Sequence, residues 1–113
     1  MSEKNPDLLA VSQTLNDVAN RIHVRKSQTD DPNCYSALNK ELIEVNHRIT
    51  MIGGLIFRER AAAIVTAAKR VQDSKEELVE AIKKIENLNN FIRTVSSFLG
   101  LVDKVIDIAK RIA

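Results

Sequence analysis

The chain has 113 residues, enough for one domain, with 17 basic and 15 acidic side chains and a formal net charge of +2. A balance this even gives no electrostatic case for nucleic acid or for an acidic substrate. Only three glycines and two prolines are present, and neither type occurs between Gly54 and Gly100, so a β-rich fold lacks its turns. Helix formers dominate that stretch, and the expected class is all-α, a single helical domain over 1–113.

The first predicted helix covers about 6–27. Pro6-Asp7 opens it and Arg25-Lys26 closes it, acid at the positive end and base at the negative end of the helix dipole. Leu8, Val11, Leu15, Val18 and Ile22 mark an apolar seam at steps of three and four. His23 falls in the cation-rich last turn, which explains it without a ligand.

Asp30-Asp31-Pro32 opens a second helix, predicted over 33–72. Its seam is longer: Tyr35, Leu38, Leu42, Val45, Ile49, Ile52 and Ile56. Folding the chain near residue 30 lays the first seam along Leu38–Ile52. Gly53-Gly54 interrupts this helix at a cost of roughly 1 kcal/mol per glycine, and a break there gives four helices in all. Beyond Ile56 the apolar phase moves by one residue, to Phe57, Ala61, Ile64, Ala68 and Val71. Glu44 and His47 have the E-x-x-H spacing of bundle metal sites, but the seam places them on the outer face. Cys34 has no second cysteine to pair with and reads as a free thiol.

Asp73-Ser74, with Glu77 completing a capping-box spacing, predicts a turn and a third helix over 75–112. The alternative is a helix continuous through 73–74 that turns at Asn87–Asn90. A turn at 73–74 leaves residues of about 57–90 as a two-helix projection, each long helix reaching on the order of 60 Å. The C-terminal helix carries an apolar face too wide for one neighbour. Its residues Phe91, Val95, Phe98, Leu101, Val105, Ile108 and Ile112 are the candidate interface.

These features point to a non-enzymatic protein–protein interaction module. It is expected to self-associate through its seams and the C-terminal face, as a homo-oligomer and most simply a dimer. The identity of a protein partner is not encoded. The second reading is a membrane-surface helix over 91–113, where Arg93, Lys104, Lys110 and Arg111 accompany the apolar face, diluted by Asp103 and Asp107. A nucleic-acid-associated role is weaker. The basic groups Arg21/Arg25/Lys26, Arg58/Arg60/Lys69/Arg70 and Lys83/Lys84 are dispersed among acids and lack aromatic partners. No catalytic set, metal site or cofactor motif is read from the residues. The polar N-terminus lacks a secretory h-region, which leads to the expectation of a cytoplasmic protein.

Overall fold

The computed structural model describes residues 3–112; residues 1, 2 and 113 of the expected domain lie outside them. Among the described residues there are four helices and no strand: α1 (Pro6–Gln28), α2 (Pro32–Gly53), α3 (Ala62–Lys83) and α4 (Leu88–Lys110). The long second helix is therefore broken at the glycine pair. Among the described residues none has positive φ, so the pair acts through low helix propensity, and not by adopting a left-handed turn. The chain then turns tightly, with Leu55 donating to the Ile52 carbonyl and Arg58 to the Leu55 carbonyl, both at 2.9 Å. Leu55 and Ile56 are thereby swung into the core.

The turn expected at 73–74 is absent. Helix α3 runs straight through it, and the Ser74 hydroxyl donates back to the Val71 carbonyl at 2.8 Å instead of capping a new helix. The local capping signal is outweighed by the continuous apolar row Ile64, Ala68, Val71, Leu78 and Ile82, all buried. The turn falls at 84–87, where the Asn87 side chain accepts from the Asn90 amide at 3.2 Å. Among the described residues there is no two-helix projection, and the longest dimension is 48 Å.

Side-chain bridges fix the helix directions. Thr14 hydrogen-bonds Gln72, and Lys75 contacts Asp17 at 2.9 Å, so α1 and α3 run parallel in constant register. Cys34 lies 3.7 Å from the Ile85 carbonyl and Arg48 lies 2.8 Å from Asp103, so α2 and α4 are parallel too. The neighbours around the bundle are α1 with α2, α2 with α4, α4 with α3, and α3 with α1. This is one antiparallel helical hairpin stacked on another, like on like, and the α2–α3 connection must cross the bundle diagonally. An up-down-up-down bundle has antiparallel neighbours throughout, and this chain does not follow that order.

The core lies between the hairpins. Leu8, Val11, Leu15, Val18 and Ile22 of α1 are each 0% exposed, each contributing about 1.5–3 kcal/mol of gross burial. On α4 the buried set runs from Phe91 through Phe98, Val102 and Val105 to Ala109. It spans roughly 140° of the helix at 3.6 residues per turn. Two flanking helices and the bundle centre cover that arc.

The diagonal connection is held by Asn5, a side chain only 2% exposed. Its Oδ1 caps α1 by accepting from the Asp7 and Leu8 amides at 2.9 and 3.3 Å. Its Nδ2 donates to the Arg58 and Glu59 carbonyls at 3.0 and 3.2 Å, and its backbone amide donates to Ile56 at 2.7 Å. Aspartate caps helices as well as asparagine, but it cannot donate to those two carbonyls. Asn5→Asp should therefore lower stability by about 2–4 kcal/mol in urea unfolding although it keeps the cap. A loss below 1 kcal/mol would show that the crossover bonds carry nothing.

Candidate cleft between the ends of α1 and α3

Because α1 and α3 are parallel, both helices end at the same place. Two basic groups that are distant in sequence meet there: Arg21 and Arg25 from α1, and Lys83 from α3. Between them opens a cleft of about 260 Å³, with Val24, Val79 and Ile82 as its apolar wall and floor. Val79 and Ile82 are nearly buried, whereas Val24 is 52% exposed. Asn20 and Gln28 complete the rim, and no carboxylate is among the lining residues.

The cations are held to different degrees. Arg21 contacts Asp17 at 2.9 Å, and the same carboxylate takes Lys75 from α3 at 2.9 Å. The Arg21 hydrogen bond, followed by that of Lys75, holds the Asp17 carboxyl below its usual value. Lys83 is 3.6 Å from Glu80. Arg25 has no ion pair among the described residues, although it stands beside two helix C-termini whose carbonyls favour a cation.

The other candidate residues are dispersed. Phe91, Val95, Phe98 and Val105 are buried in the chain's own core, while Leu101, Ile108 and Ile112 pack partly buried against it. The apolar face read as an interface or a membrane face is thus used within the chain. Glu44 pairs with Arg48 at 2.9 Å, and Arg48 also grips Asp103 of α4, while His47 is exposed. These ion pairs lie in a cleft between α2 and α4, where burial pushes the Glu41 carboxyl up. His23 is exposed at the end of α1. Among the described residues no three histidine, cysteine or acidic groups gather as a metal site, and no helix is long and apolar enough to cross a membrane.

Compared with protein-family models, with curated proteins and with solved structures, the chain matches none. The reading of the cleft therefore rests on its own geometry. Sequence reasoning weighed the two basic groups separately, and no local signal joins them. Only the parallel stacking of α1 on α3 brings Arg25 and Lys83 to one rim.

Two titrations follow. The Asp17 carboxyl is depressed in the folded state, so its contribution is present above the unfolded value of 3.8 and is lost as pH falls through the folded one. Asp17→Asn should flatten the acid limb of the stability–pH curve, modestly because the pair is solvent-screened; an unchanged limb would contradict this. The Cys34 thiol is pushed above 9.0 by burial and then by Asp31. It should resist a thiol-specific reagent at pH 8 in the native protein and react at once in urea.

Proposed function

We propose that the protein is a non-enzymatic helical interaction module whose α1/α3 cleft receives an amphipathic helix flanked by carboxylates. The observation that carries this reading is the pairing of an apolar floor with three rim cations and no lining carboxylate. Small-molecule pockets enclose about 300–1,000 Å³, whereas this cleft is smaller and open along one side. Residues 20–28 of α1 offer roughly two helical turns of contact. That length suits a helix docking by one or two apolar anchors. Arg25 supports the charge preference most directly, since its guanidinium is free to meet an incoming carboxylate.

The interface is short, so the expected affinity is modest, on the order of 10–100 μM. A suitable probe is a synthetic peptide of about 14 residues with leucines on one face and glutamates on its flanks, titrated against the isotopically labelled protein. Perturbations should concentrate at Val24, Val79 and Ile82. A peptide of the same pattern with lysines replacing the glutamates should bind at least about tenfold more weakly. Arg25→Glu, a surface change, should reverse that preference. Equal binding of the two peptides, or perturbations located elsewhere, would overturn the reading.

A further inference from the structure

On the side of α3 away from α1, a second cleft opens against α4. It encloses about 300 Å³ and is lined by Ala63, Thr66, Ala67 and Arg70 of α3 and by Lys104 and Ile108 of α4. The two helices form a hairpin, which sets the start of α3 beside the last turns of α4. Ala67 is nearly buried and makes the floor, and Ile108 packs partly buried against the core as one wall. Before Arg70, α3 contributes only alanine and threonine to the lining, so no large side chain of its own fills the space.

Arg70 and Lys104 border this cleft from different helices, and both are exposed. Neither has an ion pair among the described residues. Asp73 and Asp107 lie one helical turn beyond them, but neither acid lines the cleft. Asp103, next to Lys104 in the chain, is committed to Arg48 of α2. Two like charges thus face one apolar depression with no counter-charge between them, and they repel. A negative group seated there relieves that repulsion and collects charge-assisted hydrogen bonds from both, with the Thr66 hydroxyl as a third donor.

We infer that this α3/α4 cleft binds a small amphiphilic anion, an alkyl carboxylate. Its head lies between Arg70 and Lys104, and its hydrocarbon runs along Ala63, Ala67 and Ile108. The cations fix the sign of the head, and the apolar floor fixes the body. The volume stands at the lower end of small-molecule sites. A polyanion or a flat anionic surface laid along the groove meets Asp73 and Glu77, one and two turns further along α3, so the site takes a single negative group. The floor also differs from that of the α1/α3 cleft, where Val24, Val79 and Ile82 offer aliphatic ridges to a docking helix. Alanine gives depth without ridges, which suits a bare chain. The two sites lie on opposite flanks of α3, and neither reading depends on the other.

Octanoate is the probe, titrated into the full chain carrying labelled alanine and isoleucine methyl groups. The Ala63, Ala67 and Ile108 methyls should shift together and saturate, with a dissociation constant on the order of 0.1–1 mM. Acetate keeps the head and octylammonium keeps the tail; each should bind at least about tenfold more weakly. The double variant Arg70→Gln/Lys104→Gln, at two exposed positions, should weaken octanoate by at least about tenfold and leave the thermal midpoint unchanged. Ala63→Leu, also at an exposed position, retains both cations but fills the cleft, and should weaken octanoate to a similar extent. No saturable shift of the three methyls up to about 10 mM would overturn the proposal, as would equal binding of octylammonium or full binding by either variant. Equal binding of acetate would reduce the cleft to an adventitious anion contact and overturn it as well. Flotation with anionic lipid vesicles, abolished in the double variant, would assign the two cations to a lipid surface and overturn the free carboxylate.

Discussion

The carboxamide of Asn5 sits where three segments of the fold must agree. It closes the start of α1, receives the backbone of the α2–α3 crossover, and is itself sealed from water. Each of its two oxygen lone pairs and each of its two amide hydrogens is used, which leaves no tolerance for an isosteric acid. The crossover needs such an anchor because it leaves one hairpin and enters the other across a diagonal. Its carbonyls, released when α2 stops at Gly53, would otherwise be partly buried without partners. Helix termination at the glycines and helix initiation at Asn5 are thus one event in space, although about fifty residues separate them in the chain.

From that anchored crossover follows the stacking of like on like. Parallel α1 and α3 bring two helix C-termini side by side, an arrangement that needs cations nearby. Arg25 and Lys83 stand in those last turns. The same cations form the rim of the apolar cleft, so an electrostatic requirement of the fold supplies the chemistry of its candidate site. On the opposite side of the bundle, Arg48 links α2 to its neighbour α4 by a bidentate grip on Asp103 and draws the charge of α2 to that side. What remains on the far flank of α2 is neutral.

The all-helical class, the first helix and the first hairpin were legible in the residues. Leu8 through Ile22 keep a strict rhythm, and that seam does pack along Leu38–Ile52. The error at 73–74 came from weighting a local capping pattern above the continuity of Ile64, Val71 and Leu78. Capping is worth about 1 kcal/mol, and a buried aliphatic row several times that. The width of the α4 face was read correctly but assigned outward. Three helices cannot cover it, and four can, so the count of helices decided whether Phe91 and Phe98 were surface or core. Asn5 was visible as an asparagine before proline, a good cap by type, but its second role depends on residues 58 and 59, far along the chain. The cleft was not legible at all, since it depends on the register between α1 and α3.

That register also sets the order in which the chain can gain structure. Each hairpin closes through a connection of three or four residues, an inexpensive loop in entropic terms, whereas Thr14 and Gln72 are 58 residues apart. Neither hairpin alone can cover its inner face, because Val18 and Ile22 need the stacked partner as well as their own neighbour. Local helix pairs can therefore form early and remain marginal until they dock. Docking is the cooperative step, and it is the one that Asn5 guards.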